Sequence, residues 1–350
     1  MFQDITIEEL LTLQHKKEIV PIDVRSSSEY EDGTFPGSLN IPIFEDAERA
    51  EIGTLYKQVS VQAAKDRGLE IVSAKLPAFV KSFEQIKEPK VVFCWRGGMR
   101  SKTTATVLSL MGIRVYRLTG GIRAYRKWVV STLEQLRDFK PPAHVIQGNT
   151  GTGKTAILRS LLEEGYPVLD FEGMAGHRGS IFGEIGLKSH NQKTFESLLV
   201  GQLLKLESAP YVLIEGESKR IGKVVLPEFI FQKKETATQI FIEMPIEERV
   251  QHIIKEYKPF ENQPDILHAF KHIKNRIHTP IAKEIETNLQ AQHYENAVRL
   301  LLMHYYDPRY EHAMKQNEQD RIVIKARNRE EAVEAVKNYL SELKMKALVK

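Results

Sequence analysis

The chain has 350 residues, of which 42% are hydrophobic and 27% charged, and this length and composition predict a soluble globular protein of two domains. Its formal net charge of +4 is compatible with an anionic or RNA partner without requiring one, and a single cysteine excludes an intrachain disulfide and a multi-cysteine zinc site. No apolar run reaches the roughly 20 residues that span a bilayer, and acids stand where a signal peptide carries positive charge, so we expect a cytoplasmic protein with no membrane partner.

Short apolar strands and helical patterns alternate along the first part of the chain. Residues 19–24 and 91–93 have the pattern of buried strands, and residues 102–111 and 122–136 that of helices. This alternation predicts an α/β domain with a central parallel sheet. The paired prolines at 141 and 142 prevent a helix from continuing, so we place the first domain at 1–138 and the second at 139–350.

The only thiol, that of Cys94, lies where the second of these strands ends, in the sequence CWRGGMRS. Arg96, Arg100, the loop N–H groups and the following helix N-terminus would all stabilise a thiolate, and the same groups would hold an anionic substrate. Gly97 and Gly98 would bring the backbone close to that anion. We therefore predict a catalytic loop with Cys94, Arg96 and Arg100 as catalytic residues; an inert core cysteine is the alternative.

A second alternation of strands and a helix begins after the paired prolines. Strands are predicted over 144–147, 167–169, 211–214 and 239–242, and a helix over 156–164. From Glu247 to Met314 the pattern is mostly helical, and a last helix is predicted over 329–346. Breaks are predicted at Pro259, Pro264, Pro280 and Pro308. The pattern indicates a second parallel sheet followed by a helical C-terminal region.

The sequence GNTGTGKT matches the complete G-x-x-x-x-G-K-[ST] pattern between a predicted strand and a predicted helix. Gly148, Gly151 and Gly153 let backbone N–H groups turn towards one anion at the helix N-terminus. Lys154 would reach the terminal phosphates, and the Thr155 hydroxyl would ligate magnesium. The pattern predicts a P-loop NTPase-like domain that binds an oligophosphate, and a nucleotide kinase would use the same loop.

Two polar segments follow later strands of the second domain. His177 and Arg178 lie in the glycine-rich segment 170–180 and are candidates for phosphate contacts, although a surface loop without a ligand is an alternative. Glu215 ends an apolar strand as the metal-binding acid of P-loop enzymes does. Glu215 and Glu217 are therefore candidate metal or polar contacts, and Glu215 is equally suited to capping a helix or forming a salt bridge.

The Cys94 loop resembles the active-site loop of rhodanese domains, in which the cysteine carries a transferable chalcogen. Residues 23–30, 35–42 and 118–122 resemble other signatures of that family, and we expect Asp23 and Arg25 to have a structural role there. Five residues separate Cys94 from Arg100, one more than in the common sulfurtransferase loop. This is the spacing of cysteine-dependent phosphatases of related fold, and a longer loop suits a tetrahedral anion such as a seleno-substituted phosphate.

A rhodanese domain followed by a P-loop domain, with the segments 177–180 and 215–222, resembles the tRNA 2-selenouridine synthase family. Segments 53–58 and 305–310 are also similar to that family. The resemblance implies a transferase that acts on the wobble 2-thiouridine of tRNAs for Lys, Glu and Gln. Geranyl diphosphate first alkylates the sulfur, and selenium from selenophosphate then replaces the S-geranyl group to give 2-selenouridine.

This resemblance assigns one step to each domain. Cys94 would take selenium from selenophosphate as a selanyl-cysteine, and the P-loop would bind the diphosphate of geranyl diphosphate. We expect no tightly bound cofactor, with Mg²⁺ as the candidate metal and a selenophosphate-supplying protein as a candidate partner besides tRNA. Candidate linings for the geranyl pocket, each equally suited to a core position, are Phe171, Met174, Phe182 and Phe195.

Other functions use the same motifs. A tRNA sulfurtransferase with an ATP-using P-loop domain needs the same loops, since the Cys94 loop does not distinguish sulfur from selenium. A cysteine-dependent phosphatase fits the spacing between Cys94 and Arg100. A protein whose two domains only bind partners would have no need of the thiol or of the P-loop lysine.

Overall fold

The computed structural model describes residues 1–309 and 321–348, with side chains as far as residue 343. It divides the chain into two compact units: residues 1–136 with 196–200 form one, and the remaining residues form the other. Each unit is built on a parallel five-stranded sheet, which confirms the predicted fold class. No helix of the described residues is both long and apolar enough to cross a membrane.

The first unit is a parallel sheet with the strand order β1-β5-β4-β2-β3. Its elements in chain order are β1 (Gln3–Ile5), α1 (Ile7–His15), β2 (Val20–Asp23), α2 (Ser27–Glu31), β3 (Leu39–Asn40), α3 (Asp46–Gln58), α4 (Val61–Glu84), β4 (Lys90–Phe93), α5 (Met99–Leu110), β5 (Val115–Leu118) and α6 (Gly121–Gln135). Strand β4 lies between β5 and β2, so its carboxyl end is at the middle of the sheet.

Helices cover both faces of strand β4. Val91 and Phe93 pack in the cluster that contains side chains of α1 and α6, whereas Val92 and Cys94 pack in the cluster that contains those of α4 and α5. Successive side chains of a strand point to opposite faces, so a strand covered on both sides is apolar throughout. This explains why Val-Val-Phe directly precedes the cysteine loop.

The second unit is a parallel sheet with the strand order β12-β11-β6-β8-β7. Its strands and helices are β6 (Ala143–Gly148), α7 (Lys154–Glu163), β7 (Val168–Leu169), α8 (Phe171–Ala175), α9 (Gln192–Leu206), β8 (Val212–Glu215), β9 (Arg220–Ile221), β10 (Val224–Val225), α10 (Glu228–Glu235), β11 (Thr238–Glu243), α11 (Ile246–Tyr257), α12 (Gln263–Lys271), α13 (Thr279–Gln290), α14 (Tyr294–Leu301), β12 (Arg321–Lys325) and α15 (Arg329–Leu348). The middle strand β6 leads into the P-loop, and its neighbour β8 ends at Glu215, as expected for ligand sites at the carboxyl edge of a sheet.

The prolines of the helical region have different effects. Pro259 lies between α11 and α12 as predicted, while Pro264 and Pro280 lie in the first turns of α12 and α13, where a missing N–H costs little. The predicted break at Pro308 is wrong, because the chain stays helical from Leu302 to residue 309. Residues Leu302–Tyr306 form a π-helix, whose wider turn accommodates a proline that cannot continue the α-helical hydrogen bonding.

Candidate active sites

The loop after β4 is held by the N-terminus of α6. Ile122 N–H donates to the Cys94 carbonyl over 2.9 Å, and Arg123 N–H donates to the Trp95 carbonyl over 3.0 Å. A Cβ on Gly121 would lie 2.2 Å from the Cys94 oxygen, so only glycine allows this approach. Within the described chain, no N–H of residues 95–98 donates a hydrogen bond. These groups are therefore available to an anion in front of the loop.

The thiol of Cys94 is 3% exposed and lies inside this loop. Its sulfur is 3.2 Å from the Ser101 hydroxyl, which stabilises a thiolate when it donates to it. Arg100 follows at the start of α5 and forms a two-point contact with Glu29, with Nη2 to Oε1 at 3.0 Å. Arg96 is exposed and makes no ion pair with a described residue. The structure thus pairs Arg100 with Glu29 at the start of α5 and leaves Arg96 at the surface of the loop.

Burial opposes the charge on Arg100, but the carboxylate of Glu29 overcomes this cost. The pKa of Arg100 is raised above its usual value by the hydrogen bond and charge of Glu29, with the charge of Cys94 adding to it. Glu29 was not identified from the sequence, although it lies in the early rhodanese-like segment. It orients a guanidinium whose remaining N–H groups can bind a phosphate.

Two further ion pairs support this loop. Asp23 and Arg25 form the expected structural pair, 2.6 Å apart and almost fully buried. Arg117, which sequence reasoning missed, donates to the Gly97 carbonyl over 3.2 Å and pairs with Asp4 at 2.6 Å. Arg117 therefore fixes the loop at Gly97, as a site that must hold an anion in one place requires.

The P-loop occupies the predicted position between β6 and α7. Gly148, Gly151 and Gly153 have φ values of 155°, 85° and 73°, in the region that favours glycine. A Cβ on Gly151 would lie 2.8 Å from the Arg249 carbonyl. Within the described residues, no N–H of residues 149–151 donates a hydrogen bond. Lys154 reaches back over the loop, with Nζ 3.1 Å from the Gly148 carbonyl.

The acid beside the P-loop hydroxyl is Glu172, in α8, and sequence reasoning did not single it out. The Thr155 hydroxyl donates to Glu172 Oε2 over 2.5 Å. Glu215 lies behind it and accepts the Glu172 backbone N–H over 3.0 Å. The sequence signal for Glu172 is an acid in the polar segment that follows β7. The same segment contains His177 and Arg178, which were the predicted contacts.

The surroundings raise the pKa of both carboxyl groups. Burial, with the negative charge of Glu217 beside it, raises the pKa of Glu172 to about 7. Burial and the charge of Glu172 raise the pKa of Glu215 well above its usual value. Glu215 is 1% exposed, and its Oε1 has no hydrogen-bond partner among the described residues. Such a cluster is suited to a cation or a hydrogen-bond donor supplied by a ligand.

The described residues contain no group of three or more His, Cys, Asp or Glu side chains that could hold a metal ion on their own. Oxygen ligands are what Mg²⁺ requires, and it commonly combines one or two protein groups with substrate phosphates. The Thr155 hydroxyl, the Glu172 carboxylate and the unpaired oxygen of Glu215 fit that description. The residues present therefore fit Mg²⁺ bound together with a phosphate ligand.

His177 and Arg178 make contacts within their own unit. His177 accepts the Gly179 N–H at Nδ1 over 3.1 Å, and its ring is enclosed by Gly183 and Gly222. Arg178 pairs with Glu256 at 2.9 Å and lies over the ring of Tyr257, 4.8 Å from its centroid. Glu217 contacts the same segment, since a Cβ on Gly179 would lie 2.1 Å from its Oε2. Phosphate binding by His177 and Arg178 stays a prediction.

Helix α11 connects the P-loop to the helical region. Arg249 is 5% exposed and donates from Nε to the Thr150 carbonyl over 2.9 Å. Its two Nη groups pair with Asp307 at 3.0 and 2.6 Å. His252 Nδ1 lies 3.1 Å from the Gly151 carbonyl. Asp307 belongs to the family-like segment 305–310, of which Tyr310 lies outside the described residues.

A narrow apolar cleft lies beside the P-loop, with about 570 Å³ of empty space counted with its open mouth. Phe182 lines it, as one of the expected geranyl-pocket residues, whereas Phe171, Met174 and Phe195 do not. The Tyr294 hydroxyl is buried there without a described partner. The full lining is Thr150, Ser180, Phe182, Ile253, Ile254, Tyr257, Pro259, Ile266, Leu289, Tyr294, Val298, Leu301, Leu302 and Tyr306.

Comparison with known proteins agrees with both halves of this description. A family model described as a rhodanese-like domain matches residues 6–127, and one described as the tRNA 2-selenouridine synthase AAA domain matches residues 141–264. These matches contain the Cys94 loop and the P-loop respectively.

Proteins with this family name match two thirds of the chain or more. A tRNA 2-selenouridine synthase from Hydrogenovibrio crunogenus is 31% identical, covering 93% of this chain and 96% of the relative. One from Bdellovibrio bacteriovorus is 32% identical, covering 83% and 87%. One from Nitrosomonas europaea is 37% identical over 67% of this chain and 63% of its own length. The resemblance seen in the sequence is therefore confirmed, and the chain belongs to the tRNA 2-selenouridine synthase family.

Proposed function

We propose that this protein is a cytoplasmic enzyme that converts the wobble 2-thiouridine of tRNAs for Lys, Glu and Gln into 2-selenouridine through an S-geranyl intermediate. One observation carries the proposal: a chain of this family has a cysteine loop and a P-loop, each with backbone N–H groups that make no hydrogen bond within the described residues. Each loop is thus suited to an anionic substrate. Selenophosphate and geranyl diphosphate supply the two anions.

The P-loop unit performs the alkylation. Lys154 and the loop N–H groups bind the diphosphate, and the apolar cleft that opens at Thr150 receives the ten-carbon chain. The thiocarbonyl sulfur attacks the first carbon of the chain, the C–O bond breaks with its electron pair leaving on diphosphate, and the N3 proton of the uracil passes to water. Mg²⁺ held by Thr155 and Glu172 would neutralise charge on that leaving group. A predominantly apolar cleft beside the loop supports an alkyl diphosphate over a nucleotide, whose base and ribose need more polar partners.

The Cys94 unit performs the selenium transfer. The S-geranyl group makes C2 of the uracil more electrophilic and lets the sulfur depart as geranyl thiol. Arg100 and the N–H groups of residues 95–98 bind the phosphoryl oxygens of selenophosphate and place it against the thiolate. A protein that makes selenophosphate is the expected supplier.

The electron balance selects the atom that the thiolate attacks. If Cys94 took selenium itself, as the sequence hypothesis has it, phosphorus would leave as phosphite, and an added thiol would have to reduce the later Se–S bond. If Cys94 takes the phosphoryl group, the P–Se bond breaks with its electrons on selenium, and the selenide then attacks C2. Water hydrolyses the phosphocysteine to phosphate. We place the attack on phosphorus, because it needs no reductant and uses the phosphatase-like spacing from Cys94 to Arg100 and the Ser101 hydroxyl.

The test uses purified protein, 2-thiouridine tRNA and the two donors, separately and together, with nucleosides identified by mass spectrometry. We expect S-geranyl-2-thiouridine with geranyl diphosphate alone and selenouridine only with both donors. Phosphorus NMR should show phosphate as the product of the second step, and phosphite would contradict attack at phosphorus. Consumption of thiosulfate or hydrolysis of ATP with neither nucleoside formed would refute the proposal and favour a sulfurtransferase.

Two variants assign the steps. Cys94→Ser should retain geranylation and lose selenouridine formation by at least about 1000-fold, because the nucleophile is gone. Lys154→Ala should lose geranylation yet still convert tRNA that already carries S-geranyl-2-thiouridine. If either folded variant lost both steps equally, the division of labour between the two loops would be wrong.

A further inference from the structure

Apart from Arg100, the residues that line a groove in the first unit take part in no step of the proposed reaction. It is lined by α3, α4 and the start of α5, with about 1800 Å³ of empty space counted with its open mouth. Most of its surface is apolar. The lining residues are Ile43, Phe44, Arg49, Ala50, Ile52, Gly53, Thr54, Tyr56, Lys57, Gln58, Val61, Ala64, Lys65, Gly68, Leu69, Val72, Met99, Arg100 and Thr103.

The groove is continuous with the Cys94 loop. Met99 and Arg100 form its end, and they are the first two residues of α5, directly after Gly98 of the loop. Arg100 therefore contributes to both places. A molecule that reacts in front of the loop can extend into the groove without leaving this unit.

The charged residues of the groove are all cations. Arg49, Lys57, Lys65 and Arg100 line it, and no Asp or Glu does. Both arginines contact the carboxylate of Glu29. Arg49 Nε lies 3.6 Å from Glu29 Oε2, and Arg100 makes the two-point contact described above. Lys57 and Lys65 make no ion pair with any described residue, so their charges are available to an anion.

We propose that this groove binds the S-alkyl chain of the modified wobble nucleoside while the lysines at its rim bind the neighbouring RNA phosphates. The proposal rests on the function proposed above and adds a second alkyl-binding site, in the unit that carries Cys94. The ligand class is an apolar chain attached to a polyanion, which an apolar groove with a cationic rim matches in both respects.

The chemistry of the second step explains why such a site is needed. When the S-alkyl nucleoside reaches Cys94, its ten-carbon chain must be removed from water or left exposed beside a charged loop. Binding the chain in the groove would orient the C2–S bond towards the selenium donor and would select alkylated tRNA over unmodified tRNA. A free alkyl diphosphate lacks the adjacent phosphates that Lys57 and Lys65 would contact along an RNA strand.

Leu69→Glu tests the alkyl contact. Leu69 lines the groove and is 70% exposed, so the substitution adds a carboxylate without disturbing the core. With selenophosphate and tRNA carrying S-geranyl-2-thiouridine, we expect KM to rise about tenfold or more, because a charge would face the chain. With tRNA carrying S-methyl-2-thiouridine, KM should stay within about twofold. Leu110→Glu is the matched control, since Leu110 is 81% exposed and lies outside the groove.

The double variant Lys57→Gln, Lys65→Gln tests the phosphate contact. It should raise KM for the S-geranyl and S-methyl tRNAs by the same factor and reduce the dependence of KM on salt, because phosphate contacts do not depend on the alkyl group. Circular dichroism and unfolding curves should be those of the wild-type protein.

The outcomes separate this inference from the proposed function. If the wild-type protein makes no selenouridine from S-geranyl tRNA, the proposed function has failed. If it does, but Leu69→Glu changes KM equally for both tRNAs or for neither, the groove does not bind the alkyl chain. If excess geranyl diphosphate competes with S-geranyl tRNA in the wild-type protein but not in Leu69→Glu, the occupant is the donor and the inference is overturned.

Discussion

At the scale of single residues, two buried carboxyl groups next to the P-loop destabilise the folded second unit when they are charged. Glu172 and Glu215 are buried against each other, and no arginine or histidine neutralises the pair among their described hydrogen bonds. The Thr155 hydroxyl and one backbone N–H donate to them, and the charge of Lys154 also lowers the pKa of Glu172, but burial and mutual repulsion outweigh these effects. Sites that bind a cation or a charged ligand commonly carry such a cost in the ligand-free state.

Replacing Glu172 by Gln should stabilise the magnesium-free protein at high pH. The folded-state pKa of Glu172, about 7, lies above the 4.5 of an unperturbed glutamate. Between these values the folded state binds more protons than the unfolded state, so Glu172 lowers stability as pH rises from 4.5 to 7. The Gln variant does not lose stability in this way. Relative to wild type, we expect its free energy of unfolding to be higher by about 1–3 kcal/mol at pH 8 and little changed at pH 4.

Thermal unfolding in EDTA between pH 4 and 8 would measure this effect. Glu163→Gln is the control, since Glu163 is an exposed residue of α7. If the difference in unfolding temperature between Glu172→Gln and wild type were constant across pH, the pKa of Glu172 would not be raised in the folded protein.

At the scale of elements, the strands and helices that carry the motifs were the predictable part. The hydrophobic run before Cys94 became β4, and the P-loop lies between β6 and α7, because buried strands and glycine-rich turns have strong local signals. The pair α3 and α4 was not predicted. Its groove-facing side mixes apolar residues with cations, so the apolar periodicity is weak, and Pro77 inside α4 interrupts the helical pattern.

The same contrast applies to the candidate sites. Cys94, Lys154 and Thr155 were identified because each belongs to a contiguous motif. Glu29 and Glu172 lie 71 and 17 positions from the groups they contact, so only the fold brings them together. Partners supplied from distant elements leave no spacing pattern in one sequence.

Helix α11 should hold the P-loop in shape through one buried ion pair. Arg249→Met would leave Asp307 without its partner and the Thr150 carbonyl without a donor, so we expect the second unit to lose about 3–5 kcal/mol. Arg299→Met is the matched control, because Arg299 of α14 also pairs with a residue of α11, Glu247. That pair is exposed, and exposed pairs contribute about 0–1 kcal/mol to the free energy of unfolding.

Denaturant unfolding monitored for the second unit, together with titration of inorganic diphosphate, would check this. We expect Arg249→Met to weaken diphosphate binding and Arg299→Met to leave it unchanged. Equal stability of the two variants would mean that the P-loop does not depend on α11.

At the scale of the whole molecule, the two loops lie in different compact units, and the proposed function has them act on the same nucleoside in sequence. The S-geranyl tRNA formed at the P-loop is a complete molecule with no covalent bond to the protein. It can therefore dissociate from one chain and bind to another. Nothing in the chemistry of either step requires a group from the other unit.

A mixture of two inactive variants tests this independence. By the proposed division of labour, Cys94→Ser should make the S-geranyl tRNA but not consume it, and Lys154→Ala should consume it but not make it. We expect the mixture, supplied with 2-thiouridine tRNA and both donors, to form selenouridine at a rate that rises with the concentration of Lys154→Ala. Each variant alone should form none. If both half-reactions proceed but the mixture yields no selenouridine, the intermediate must be transferred within a single chain, because a released tRNA would have been converted by the second protein.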